Sequence, residues 1–148
     1  MIEYVKLGRD LGVDWNYILV KDVTYDFGNK YSIPQEFKNN WFWVRMKGNS
    51  LLLTVYKNYA WDGCSFVPDF KGTILASLPH DVFYQFSDEL SNFWLWKLYK
   101  VITLADNLFK ISMEQNETKK VIIKTYYLGV RVFGYPFRLL NRALGNIF

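Results

Sequence analysis

WFWVRMKGNSLLLTVY, residues 41–56, holds two runs of aromatic and aliphatic residues with Lys47-Gly48-Asn49-Ser50 between them. Short apolar runs that flank a glycine-asparagine turn signal read as the two strands of a hairpin. The same composition extends upstream, where YILVKDVTYDF, residues 17–27, stops at Gly28-Asn29. Strands are therefore expected from about Tyr17 to Tyr59, with Pro34 and the pair Asn39-Asn40 as loop punctuation. Downstream the pattern changes. Beyond about Gly72 the breakers thin out, and Phe93, Trp96, Val101, Leu104, Leu108 and Ile111 recur mostly at three and four, which predicts helices. Three are expected, at about 73–87, 91–114 and 118–143, with Thr118 as the N-cap of the last. The fold class is α+β: short antiparallel strands first, a three-helix half after. We expect a single domain, β-rich over 1–58 and helical over 59–148.

A chain of 148 residues with 51% hydrophobic content is long enough to bury a core. Its 29 aromatic residues exceed what such a core needs, so some are expected to face a ligand, a partner or a lipid surface. The net charge of +4 comes from 18 bases interspersed with 14 acids, without a Lys/Arg-rich run, and nucleic acid is not an expected partner. Residues 1–12 lack the basic and apolar regions of a secretory signal. Lys97, Lys100 and Asp106 interrupt the best candidate for a membrane span. Cys64 has no second cysteine to pair with, which excludes an internal disulfide and a cysteine-rich zinc site.

The chemistry-bearing residues cluster in YAWDGCSFVPDF, residues 59–70, and HDVFY, residues 80–84. Pro79 lacks a backbone donor, so the first helix either kinks there or begins near Ser77 with Pro79 in its first turn. Neighbouring residues on a helix point about 100° apart, so His80 and Asp81 are expected to serve different neighbours. Asp81 can turn toward Asp62 of the preceding loop. Two carboxylates drawn together need a cation between them, and oxygen donors suit Ca²⁺, with Gly63 allowing close backbone approach. His80 would be left as a general base for water if an acid held its other nitrogen. Asp106, set in the apolar run ITLADNLF, is the candidate, because an acid there needs a partner. The two lie 26 residues apart, so they meet only across a longer loop or against a helix that starts late.

One histidine is too few for a histidine-aspartate phosphohydrolase or a histidine-based zinc hydrolase. Neither Cys64 nor Ser65 lies in a G-x-S-x-G elbow. Taken in order, WDGCSFVPDF, HDVFY, ADNLF and TYYLGVRVFG resemble motifs of the small bacterial and fungal secreted phospholipase A2 family over about Tyr59 to Gly134, roughly half the chain. The DGxSxVP and HDxxY pattern is also similar to that of an uncharacterised family common in bacteriophages and bacteria, whose members likewise begin with short strands. The resemblance implies a phospholipase A2-like helical half. It also implies that Asp62, the carbonyl of Gly63, and Asp81 hold Ca²⁺, that His80 takes a proton from water, and that Asp106 orients the imidazole. Tyr84, one turn after His80, would brace Asp106 or pack in the core. The chain departs from the phospholipase pattern where Ser77, Leu78 and Pro79 replace the cysteine that pairs with the loop cysteine, and residues 1–58 have no counterpart there.

Two functions are therefore expected. The first is a calcium-dependent ester hydrolase acting on phospholipid, phage-encoded, with exposed aromatics and the basic stretch RVFGYPFRLLNRALGNIF, including Arg131, Arg138 and Arg142, against an anionic membrane surface. The second is a non-catalytic part of a phage particle or host-takeover complex, with a phage or host protein as partner and the cluster serving as a brace. The expected location is the cytoplasm of an infected host or the virion.

Overall fold

A computed structural model describes residues 2–6, 17–63, 71–116, 118–136 and 139–140, with the side chains of residues 71 and 72 excluded. The architecture is α+β, with strands followed by helices. The chain divides into two compact units, Met1–Ser65 and Phe66–Phe148.

The first unit holds two antiparallel sheets. In one, β1 (Tyr4–Lys6), β2 (Tyr17–Leu19) and β7 (Ala60–Trp61) lie in the order β1-β2-β7. Tyr4, Tyr17 and Trp61 form an aromatic cluster with ring centroids 5.4–5.9 Å apart. In the other, β3 (Val23–Asp26), β4 (Phe37–Lys38), β5 (Phe42–Lys47) and β6 (Ser50–Val55) lie in the order β3-β6-β5-β4. The expected hairpin is β5 and β6, closed by Gly48-Asn49 between the paired Lys47 and Ser50. Gly48 takes φ +59°, the sign a tight hairpin demands of its first turn residue. Alternation along β5 buries Phe42 and Val44 while Trp43 and Arg45 leave the core face, where the Arg45 guanidinium lies 3.7 Å from the centroid of Trp43.

YILVKDVTYDF forms strands of both sheets. It breaks at Val20-Lys21-Asp22, and the Asp22 carboxylate accepts a hydrogen bond from the Lys57 backbone N–H at 2.8 Å. Turn residues alone gave no sign of this break.

The second unit contains four α-helices among the described residues, not three: α1 (Lys71–Gln85), α2 (Ser87–Trp94), α3 (Leu98–Gln115) and α4 (Lys120–Gly129). A π-helical turn, Val130–Gly134, continues α4. The helix expected over 91–114 is divided by Leu95, which adopts the left-handed conformation at φ 57°. The N–H groups of Leu95 and Trp96 both bond the Ser91 carbonyl, the first as in an αL cap and the second as in a Schellman cap, and both motifs usually use glycine at the left-handed position. No local signal marks a leucine for that role. Leu95 is 91% exposed and gains little packing in return. Leu95→Gly is expected to stabilise the protein by about 1 kcal/mol, the order of the left-handed penalty for a residue with a Cβ. A urea midpoint at or below that of the parent would show that the conformation costs nothing here.

Of the two alternatives at Pro79, a start near Ser77 is not the one taken: helix α1 runs through the proline, and the ring is buried. Packing of this segment outweighs the absent N–H, since Ala76, Leu78, Val82 and Phe83 are all fully buried. Thr118 is not the N-cap of α4: Lys119 occupies that position, and the Thr118 hydroxyl is buried without a hydrogen-bond partner among the described residues.

Helix α3 is the centre of the unit, packing against α1, α2 and α4. Its buried face carries Val101, Ile102, Leu104, Ala105, Leu108, Phe109 and Met113, and, among them, one acid.

Candidate functional site

That acid is Asp106, fully buried in α3. Burying a carboxylate among apolar side chains is costly unless donors surround it, and here three side chains donate to it. His80 Nε2 lies 2.9 Å from Oδ1, and the Tyr84 hydroxyl donates to the same oxygen at 2.8 Å. Arg131 Nη1 donates to Oδ2 at 2.9 Å. His80 and Tyr84 reach one atom because they stand one turn apart on α1. They meet Asp106 because α2 takes up part of the intervening chain and α3 starts only at Leu98.

The tautomer follows from this set. A carboxylate paired with a permanently charged guanidinium accepts, so the hydrogen of the neutral imidazole belongs on Nε2 and the Nδ1 lone pair is left uncommitted to Asp106. The ring itself is held by stacking: its centroid lies 4.1 Å from that of Tyr84 and 5.1 Å from that of Phe109. The His80 side chain retains 12% exposure, which leaves a narrow approach. Asp81 Oδ1 lies 3.7 Å from Nδ1, nearer than the expected divergence of the two side chains. That distance is too long for a hydrogen bond, but the charge is close enough to favour an imidazolium.

Burial alone would push the His80 pKa down. The hydrogen bond and charge of Asp106, with the charge of Asp81, outweigh it, and the net shift is upward from the ordinary histidine value. Burial, and next the charge of Asp106, raise the Tyr84 phenol well above its usual range, so it stays a donor. For Arg131 burial acts downward, but Asp106 prevails and the guanidinium is held more firmly charged.

The guanidinium spans one stripe of α3. Besides Asp106, Nη1 donates to Thr103 Oγ1 at 3.1 Å and Nη2 to the Tyr99 hydroxyl at 2.6 Å. Residues 99, 103 and 106 are spaced by four and three, the interval that places side chains on one helix face. Arg131 therefore points inward, which corrects its reading as an interfacial charge; Arg138 and Arg142 lie outside the described residues. Sequence reading missed Arg131, Tyr99 and Thr103 as members of the site. A usable signal existed in the buried acid, which calls for a cation as well as an imidazole, but the π turn changes the helical phase by which that cation would have been located.

Of the expected calcium ligands, Asp81 belongs to the second unit and is partly exposed, while Asp62 and Gly63 follow β7 in the first. Gly63 takes φ +80°, a backbone shape that favours glycine. Among the described residues no three His, Cys, Asp or Glu side chains are grouped as a metal site. Cys64 and Ser65, with the rest of CSFVPDF, lie outside the described residues.

The arrangement defines a class of site: an imidazole with one nitrogen bonded to a buried carboxylate that also accepts from a tyrosine, and with its other nitrogen not bonded to that carboxylate. No family model matches the chain, and neither a curated protein nor a solved structure does.

Proposed function

We propose that the chain is a calcium-dependent, phospholipase A2-like ester hydrolase in which His80 and Asp106 activate water. The observation that carries this reading is the 2.9 Å pairing of His80 Nε2 with a fully buried Asp106 whose same oxygen also accepts from Tyr84. It leaves Nδ1 as the basic atom. In the reaction, Nδ1 takes a proton from water as the water oxygen bonds to the ester carbonyl carbon. Asp106 stabilises the resulting imidazolium. The same proton then passes to the departing alkoxide as the carbon–oxygen ester bond breaks, leaving a carboxylic acid and an alcohol.

Asp81, the carboxylate beside His80 in the second unit, offers calcium a hard oxygen ligand of the kind that ion takes. Calcium, when bound, supplies polarisation of the ester carbonyl. Exposed Leu128, Val132 and Phe133 beside exposed Lys124 give the second unit an apolar and basic surface suited to an anionic lipid interface. No helix among the described residues is long and apolar enough to cross a membrane.

The test is release of fatty acid from short-chain phosphatidylglycerol in about 1 mM calcium, a concentration that also raises the melting temperature if the ion binds at about 10 to 100 μM. His80→Ala is expected to lower hydrolysis at least about a hundredfold, the usual contribution of a general base, with the circular dichroism spectrum unchanged. Undiminished activity in that variant would remove His80 as the base.

A non-catalytic role also has an observation in its favour. Asp106 ties α1, α3 and the π turn together through three side chains, which serves a structural part as well as an enzyme. A parent protein inert toward phospholipid and simple esters, and unshifted by calcium, would leave that role standing.

A further inference from the structure

We infer that the π turn Val130–Gly134 is a working part of the His80–Asp106 site, with Arg131 and Gly134 as positioning residues that hold Asp106 and Tyr84 in line with the imidazole. The inference builds on the proposed use of His80, but its geometry stands independently of any substrate.

A carboxylate can rotate about its Cβ–Cγ bond, and a single imidazole on one oxygen does not stop it. Here Oδ2 is held by Arg131, whose fork is itself fixed at Thr103 and Tyr99 on the same helix face. With Oδ2 held, Oδ1 is left facing His80 and Tyr84. Arg131 thus acts through Asp106 and has no contact with the imidazole among the hydrogen bonds of the site.

Gly134 controls the other partner. It is buried, and a Cβ built on it would overlap the Tyr84 hydroxyl, lying only 3.0 Å from Cζ and 3.2 Å from Cε1 of that ring. The ring has little freedom to yield, since its hydroxyl is bonded to Asp106 and its face is stacked on His80. The φ of a π-helical residue does not require glycine, so the close approach to Tyr84 is the physical reason for one here. Arg131 and Gly134 stand three positions apart, and the wider π turn presents both to the network, as such turns often do at functional sites.

The chain has a single histidine, so nuclear magnetic resonance of its imidazole reads one site without overlap. The parent is expected to give a slowly exchanging Nε2–H signal, shifted downfield by Asp106, and long-range nitrogen-proton correlations of the Nε2–H tautomer. Arg131→Met is expected to lose the slow exchange of that signal and to mix the tautomers, and Gly134→Ala to move it upfield as Tyr84 is displaced. Arg131→Lys, which keeps a charge but not the three-way fork, should restore part of the signal. A role confined to helix packing predicts an unchanged imidazole in every variant that folds, and that result would overturn the inference. Should Arg131→Met not fold, Arg131→Lys and Gly134→Ala decide the matter by the same signal. Hydrolysis is followed alongside, with kcat expected to fall about a hundredfold in Arg131→Met at little change in KM, the scale of a misplaced catalytic group. A parent that hydrolyses nothing while its imidazole responds to these substitutions would sink the hydrolase reading and leave the positioning role intact.

Discussion

Asp106→Asn is expected to reduce hydrolysis about ten-thousandfold, the scale reached when the acid that orients a catalytic histidine is neutralised without a change in size. The cause lies in the inventory of donors. Three side chains donate to Asp106, and an asparagine must turn an N–H₂ group toward at least one of them. If it faces His80, the imidazole accepts at Nε2 and its hydrogen moves to Nδ1, which removes the base. If it faces Arg131, a donor opposes a cation. Asp106→Ala should also cost about 3 kcal/mol of stability, because removing one member strands a guanidinium whose side chain is only 20% exposed. That is the low end of the range for fully buried pairs, since water reaches part of Arg131. Urea denaturation measures the loss, and the double variant Asp106→Ala with Arg131→Ala should lose less than the two single variants summed. Strict additivity would mean that the two groups do not support one another, and a midpoint equal to the parent's would mean that the buried network contributes nothing.

The same residues show what the chain reveals about itself and what it conceals. The hairpin of β5 and β6 was legible because Gly48-Asn49 is a local instruction, read without reference to the rest of the protein. The order of strands before helices was legible from the change in apolar period near Gly72. The pairing of His80 with Asp106 rested on a different kind of reasoning: an acid in ITLADNLF cannot be buried alone, and the sole imidazole lies within reach of a late-starting helix. The break at Leu95 was hidden, because its left-handed turn depends on two N–H groups finding the Ser91 carbonyl and not on a residue that prefers the conformation. Strand β1 was hidden too, since Tyr4–Lys6 is too short to show a period and exists by pairing with β2. Arg131 was visible only as a charge in a basic stretch. Its inward direction is set by a π turn, a departure from the helical phase on which any reading of faces relies.

The pH dependence of the protein is expected to run in opposite directions for stability and for hydrolysis, and both have one origin. The pKa of His80 is raised in the folded state: burial opposes the charged form, and Asp106 and Asp81 more than offset it, with Tyr84 and Arg131 completing the set of groups around the ring. A group whose folded pKa lies above its unfolded value binds a proton more tightly when folded. Its stabilising contribution is complete below the ordinary histidine value of about 6.5 and is lost as pH rises through the raised value. The difference in urea midpoint between the parent and His80→Gln, measured in chelator so that no cation loads Asp81, should therefore shrink as pH rises from the ordinary histidine value through the raised one. The chain has no other imidazole to blur this difference. Hydrolysis requires the other form. Only neutral His80 accepts a proton from water, so the rate should climb about tenfold per pH unit on the acid side and level off above the raised pKa. Along that limb the rate is gained while the protein gives up part of its stability. An acid limb centred below the ordinary histidine value would contradict the direction of the shift, because Asp106 and Asp81 would then be failing to hold the imidazolium. A rate independent of pH across the same window would separate hydrolysis from His80 altogether.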